Sequence, residues 1–225
     1  MKYALRIFGI VLILSGVMLF FWQDIREMFT DRVNDRVIEA YHQGDRDVQV
    51  NPLESFVTGI EDGGEVTDAE GASGTSDASS ETGPAEFNMD NVAGILSIAS
   101  ADIREPVFRG PVTESNLRRG LSFVDAGDHV GMQNIPIAGH RVEGIGIRFN
   151  HLDRASVGDV VTFDTAEGTR TYEITDIFEV DPSQVEVLDQ KAGEPKQLTL
   201  ITCEDYNPET LLFEKRLIVR AAIVE

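Results

Sequence analysis

From Gly94 to the end of the chain, short runs rich in β-branched and aromatic residues recur about every ten residues, and this recurrence limits the fold more than any other feature. The runs are GILSI at Ile95, PVF at Val107, NIPIAG at Ile137, DVVTFDT from Asp159, TYEITDIFEV around Tyr172, VEVL from Val185, QLTLIT from Gln197 and RLIVRAAIV from Arg216. Eight short strands with turn signals between them predict an all-β domain over 92–225, a barrel or sandwich with few, short helices. AEGT at 166–169 joins two alternating runs and predicts a hairpin turn at Gly168. The expected helices are TESNLRRGL, with Thr113 as its N-cap, and about two turns in FNHLDRA from Phe149. In the last run, period-two alternation puts Arg216, Ile218 and Arg220 on one face and Leu217, Val219 and Ala221 on the other. One face of that strand must therefore meet water or a polar cleft.

The first part of the chain reads differently. Ile7 to Trp22 carries no charge, Lys2 and Arg6 precede it, and Tyr3, Ala4 and Leu5 lengthen the apolar run. With Arg6 snorkelling, this gives the roughly 20 residues a bilayer crossing needs. Residues 1–22 are thus expected to be a transmembrane signal-anchor, its N-terminus cytoplasmic and everything after Trp22 exported. The alternative is a removable signal peptide, against which no small-residue cleavage pair follows Trp22. In 23–43, Ile25, Met28, Phe29, Val33, Val37 and Ala40 fall at three- and four-residue steps, predicting a juxtamembrane amphipathic helix that serves as a spacer on or near the membrane surface. Residues 44–91 are expected to be an acidic, disordered linker: between Asn51 and Asn91 there are ten acids and no base. The whole chain carries 19 basic and 39 acidic residues, net −20, which argues against a nucleic-acid partner. No second anchor is expected after the last strand.

A single cysteine excludes an internal disulfide framework and a cysteine-rich zinc site. Cys203 ends the run LTLIT and precedes Glu204, Asp205 and Tyr206, at the junction of strand and loop. A free thiol with a pKa near 8.5 is mostly protonated at neutral pH, so as a nucleophile it needs a cationic partner. Taken alone it reads more readily as a small packed hydrophobe, and the charged loop after it and an available histidine favour the reactive reading. Of the four histidines, His42 lies in the spacer, His129 in the polar loop DAGDHVG and His151 in a short helix. His140 instead follows Ala138 and Gly139 at the end of an apolar strand, where catalytic groups are commonly carried. Arg216, if aimed into a cleft, suits stabilisation of an oxyanion in acyl transfer.

The stretches QNIPIAGHR, QLTLITCEDYN and EKRLIVRA resemble the three active-site segments of the sortases, specifically the class A transpeptidases of Gram-positive bacteria. The resemblance runs from about Val92 to Glu225 and includes EPVFRGP, VGDVVTF and VEVLDQKAGEPKQLTLITC. A single N-terminal anchor and a short segment between Val185 and Gln197 fit class A better than class B or C. The implied fold is an eight-stranded sortase-type β-barrel.

The implied activity is cleavage of a Leu-Pro-X-Thr-Gly sorting signal between Thr and Gly, followed by joining of the threonine to an amine of a cell-wall precursor. In that reading Cys203 is the nucleophile, His140 the general acid and base, and Arg216 the clamp on the oxyanion and substrate backbone. Ala138, Val185, Val187, Leu188 and Ile201 match the apolar Leu-Pro pocket, and Thr202 is placed to add a hydrogen bond to substrate. No organic cofactor or metal is implied for the chemistry. Some class A members bind calcium through acidic residues whose matching positions here are Asp125, Asp128, Met132 and Gln190. Because a methionine and an amide replace carboxylates, weak or absent calcium activation is expected. Implied partners are secreted proteins bearing the signal, the peptidoglycan-precursor amine and the membrane. A hydrolase of the same fold and an inactive, membrane-tethered binding module are the competing readings.

Overall fold

The computed structural model describes residues 2–45, 47–58, 85–141, 148–207 and 212–224. In chain order these form α1 (Lys2–Phe20), α2 (Trp22–Gln43), β1 (Asp47–Val50), α3 (Pro52–Thr58), β2 (Ala85–Asn88), β3 (Val92–Ile98), β4 (Ile103–Phe108), α4 (Glu114–Arg119), β5 (Leu121–Phe123), β6 (Asn134–Ala138), β7 (Val160–Thr165), β8 (Gly168–Val180), β9 (Gln197–Asn207) and β10 (Leu212–Ile223).

Eight strands close into a barrel in the order β10-β8-β7-β3-β4-β5-β6-β9. Most neighbours are antiparallel, but β4 with β5 and β6 with β9 run parallel. Closure removes free sheet edges, which would otherwise template aggregation. The interior is filled from every strand, with Leu96, Phe123, Ile137, Phe163, Leu200 and Val219 all fully buried. Alternation in β10 is as expected: Leu217, Val219 and Ala221 pack inside, while Ile218 joins a separate cluster with Val180 and Val187. The hairpin turn falls where expected, with Thr165 paired to Gly168, whose φ of 121° is the left-handed region that glycine tolerates. Thr113 caps α4 by accepting a hydrogen bond from the Asn116 amide at 3.1 Å.

Two local expectations are corrected. VEVL is not a strand but a 3-10 turn, Val185–Leu188, and the eighth barrel strand is the short β5, LSF. FNHLDRA supplies only a single 3-10 turn, Leu152–Arg154. Three-residue strands carry too little alternation to stand out in a sequence.

The larger correction concerns residues 23–91. The amphipathic helix exists as α2, and its apolar stripe packs on the barrel. Val33 and Val37 are fully buried, packed with Ile38 against Ile95 and Phe108 of the barrel wall. The reason is visible in β3, which is buried on both faces: Leu96 and Ile98 turn inward, while Ile95 turns outward and needs cover. Gly44 ends the helix at φ 75°, its amide donating to Tyr41 and Ala40 carbonyls. The chain then enters β1, which pairs antiparallel with β2 from Asp47 opposite Asn88 to Val50 opposite Ala85. Val48 and Val50 extend the cluster under α2. Within the expected linker over 44–91, the described residues include β1, α3 and β2, and the β1–β2 pairing brings Asp47–Val50 beside Ala85–Asn88. Residues 59–84 of the linker lie outside the described residues.

Among the described residues no helix is long and apolar enough to cross a membrane. The span expected over 1–22 coincides with α1, several of whose side chains lie outside the described residues.

Candidate active site

β6, β9 and β10 are consecutive in the barrel, with Cys203 on β9, Arg216 on β10 and His140 two residues past the end of β6. In the antiparallel ladder Cys203 stands directly opposite Arg216. The parallel ladder of β6 and β9 ends at Ala138 opposite Ile201, and the Gly139 amide donates to the Ile201 carbonyl at 3.0 Å. His140 follows Ala138 by two residues, past the end of β6, as Cys203 follows Ile201 by two along β9. Neighbouring strands lie about 4.8 Å apart, which sets the separation of Cys203 from Arg216 across the ladder. The Cys203 side chain itself lies outside the described residues.

Each neighbour of the cysteine is held from its own strand. His140 is half-buried, and its carbonyl accepts a hydrogen bond from the Phe149 amide at 3.2 Å. The residue before it must be glycine: a Cβ on Gly139 would stand 2.6 Å from both Leu121 Cδ2 and Phe149 Cδ2. The strand end is thus pressed onto the Phe149 ring, which fixes where the histidine leaves the sheet. Arg216 is half-buried, and its guanidinium donates to the Lys215 carbonyl at 3.1 Å. Lys215 pairs with Asp181 at 2.8 Å on the exposed side.

Beside these positions lies the outer cluster of the barrel. Val180, Val187 and Ile218 are buried there, with Phe178, Leu188 and Ile201 partly covered. Of the expected pocket residues, Val187, Leu188 and Ile201 are therefore brought together. Ala138 is half-buried at the end of β6, opposite Ile201. Val185 is 64% exposed and stands outside the cluster. Thr202 is not on this face: it pairs with Leu217, which packs in the interior, and it is 1% exposed. Its hydroxyl is buried with no hydrogen-bond partner among the described residues. Further along the same face, the Arg220 guanidinium lies 5.0 Å from the centre of the Phe178 ring.

Sequence reasoning missed the residue that mounts this wall. Asn134 is fully buried at the start of β6, where its amide nitrogen donates to the Val187 carbonyl at 3.1 Å and its amide oxygen accepts from Thr199 at 2.7 Å. A polar residue opening an apolar strand is the only trace of this in the sequence. Gln190 completes the mount: its amide oxygen accepts the Gln133 and Asn134 amides at 3.1 and 3.0 Å, and its nitrogen donates to the Asn134 carbonyl at 2.7 Å.

The remaining degenerate calcium positions have protein partners as well. Asp128 accepts from the Asp125 amide at 2.7 Å, and burial pushes its carboxyl up. Met132 sulfur accepts from the His129 amide at 3.3 Å. Among the described residues no group of three His, Cys, Asp or Glu side chains is gathered to hold a metal ion. A cavity of about 530 Å³ lined by Tyr41, His42, Asp164 and Thr169 lies under α2, and none of the expected site residues lines it.

Comparison with known proteins agrees with this geometry. The Sortase domain family matches residues 96–224, more than half of the chain. Sortase A of Staphylococcus aureus is 45% identical over 135 residues, which cover 60% of this chain and 66% of that protein. Sortase A of Listeria monocytogenes is 28% identical over 131 residues, 58% of each chain. Matching stretches thus span less than two thirds of those relatives. Among solved structures, sortase A of Listeria monocytogenes superposes with a TM-score of 0.54 at 26% identity, covering 60% of this chain and 89% of that one. Sortase C1 of Streptococcus agalactiae gives 0.54 at 26% identity, covering 62% and 70%. With the match running from within β3 to the end of β10, across every strand of the barrel, the chain belongs to the sortase family.

Proposed function

We propose that the chain is a cysteine transpeptidase that cleaves a Leu-Pro-X-Thr-Gly signal between Thr and Gly and joins the threonine to a cell-wall precursor amine. The observation that carries this is the register of Cys203 opposite Arg216, with Ala138 opposite Ile201 two residues before His140 and Cys203, beside an apolar outer face. In the first half-reaction the Cys203 thiolate forms a bond to the threonine carbonyl carbon, and the Arg216 guanidinium receives the negative charge that develops on oxygen. The carbon–nitrogen bond then breaks, and protonated His140 gives its proton to the departing glycine amine. Threonine is left as a thioester. In the second half His140 takes a proton from the incoming amine, whose nitrogen displaces the thiolate. Because the first half-reaction needs the Cys203 thiolate and the His140 imidazolium together, the rate profile against pH is bell-shaped.

The apolar face supports recognition of the Leu-Pro part of the signal. Calcium is unnecessary in this reading: the Gln190 oxygen already accepts two backbone amides, a thioether stands at Met132, and only Asp125 and Asp128 remain as carboxylates. The rate should change by less than about two-fold between millimolar calcium and a chelator. The chain is also anchored through α1. The uncharged run from Ile7 to Trp22 supports this, and Ile13, Leu19 and Phe20 of α1 are 68, 75 and 80% exposed. Lys2 and Arg6 support a cytoplasmic N-terminus and an extracellular barrel.

The test is the full chain in detergent with a fluorescent Leu-Pro-Glu-Thr-Gly peptide and triglycine, beside a Cys203→Ala variant. Product joined at threonine, absent in the variant, is expected. Cleaved peptide without joining supports the hydrolase; neither product in folded protein overturns the proposal.

A further inference from the structure

Helix α2 reaches the histidine through a buried polar relay. Asn34, on the barrel-facing side of the helix and 6% exposed, donates from Nδ2 to Glu105 Oε2 at 2.6 Å. Glu105, in β4 and also 6% exposed, uses its other oxygen to accept the Arg148 amide at 2.9 Å. Arg148 is the first described residue after 142–147, and its own side chain is 4% exposed. Its guanidinium donates to the Leu117 carbonyl at 3.2 Å and lies 3.8 Å from Glu105. It also sits at φ 58°, a left-handed conformation that L-residues adopt only when the surroundings hold them there. The next residue is Phe149, whose amide bonds the His140 carbonyl and whose ring packs against Gly139.

One carboxylate therefore joins the helix on one side to the backbone that re-enters the barrel behind His140 on the other. Nothing in barrel closure requires this carboxylate, since a buried unpaired acid costs more than an apolar residue of its size. Asn34 and Arg148 supply the partners that make it tolerable, and both partners lead to segments that must be held in place.

We propose that α2 is a positioning element for the candidate active site, acting through Asn34 and Glu105 on the Arg148–Phe149 backbone that fixes His140. This rests on the transpeptidase reading for its kinetic arm and on geometry alone for its exchange arm. In the full chain, Asn34→Ala lowers kcat about five- to ten-fold with KM for the peptide nearly unchanged, because the apolar face by Val187 and Ile218 is remote from the relay. Asn34→Asp lowers it further by facing Glu105 with a second carboxylate. Arg36→Ala, which breaks the pair between Arg36 of the same helix and Glu54 of α3, leaves kcat unchanged.

Amide hydrogen exchange supplies the second readout. The Phe149 amide should lose protection in Asn34→Ala while the amides of β8 and β9 keep theirs. Unchanged Phe149 protection, or loss of protection throughout the barrel with it, overturns the proposal. If the wild-type chain fails to turn over the peptide, the transpeptidase reading falls, and the exchange comparison still decides this one.

Discussion

The barrel has two apolar outer faces, and their difference separates architecture from function. Over β3 and β4, Ile95 and Phe108 are covered by Val33, Val37 and Ile38 of α2 and are sealed from water. Over β8 to β10, Ile218, Val180 and Phe178 cluster with Val187 and Leu188 of the short turn, and among the described residues no helix joins that cluster. The covered face carries a buried polar pair, Asn34 with Glu105. The other is bordered by Arg216, Arg220 and the strand level of Cys203. Apolar surface that a chain covers contributes to stability; apolar surface that it leaves at the side of a nucleophile suits an extended ligand.

The sharpest way to break this contrast is at Arg216. Arg216→Ala should lower kcat/KM by about 10²- to 10³-fold, the usual loss for one oxyanion donor. Urea unfolding should move little. A comparable loss of stability would make Arg216 a structural residue. On the covered face the reverse is expected: Val37→Asp places an unpaired acid at a fully buried position and should cost about 3 kcal/mol. A urea midpoint within experimental scatter of wild type would mean that α2 does not dock on the barrel in solution.

A smaller effect separates the apolar wall from the chemistry. Val187→Ala removes two methyl groups beside Ile218 and should raise KM about three- to ten-fold with kcat retained. A fall in kcat alone would detach this cluster from substrate binding.

The smallest effect is a pH dependence centred on Glu105. Burial is the largest influence on its carboxyl and pushes it up, and the nearby Arg148 charge offsets that only in part. A carboxyl raised in the folded state gives stability that is complete below its unfolded value of about 4.3 and is lost as pH rises through the folded value. Glu105→Gln lacks this dependence, so wild type should lose ground to the variant as pH rises through that window. Parallel curves from urea melts across the range would show that the carboxyl is not shifted.

Much of the barrel was legible because its evidence is local. Gly168 in a turn, Thr113 as a cap and the alternation of Arg216, Leu217, Ile218 and Val219 each need only their neighbours in sequence. The VEVL strand failed for the same reason in reverse: four apolar-rich residues look alike in a strand and a 3-10 turn, and only the Asn134 bond to the Val187 carbonyl decides between them. The helical stripe of α2 was legible, but a stripe does not say what covers it. Membrane surface and barrel wall offer the same apolar contact, and the buried Asn34 favours the wall because only there does it meet a carboxylate. The pairing of β1 with β2 spans an acidic stretch with no pattern of its own, so no window along the chain reveals it.

The proposed catalytic site rests on two registers, Cys203 with Arg216 and Ala138 with Ile201, and the most direct test of what it does is a covalent one. The full chain is incubated with Leu-Pro-Glu-Thr-Gly peptide without an added amine, and its intact mass and peptide map are read. A mass increase equal to the Leu-Pro-Glu-Thr acyl group, located on Cys203 and discharged by triglycine, is the predicted result. Absence of that adduct from folded protein that does cleave the peptide, or its persistence in Cys203→Ala, would contradict acyl transfer through this cysteine.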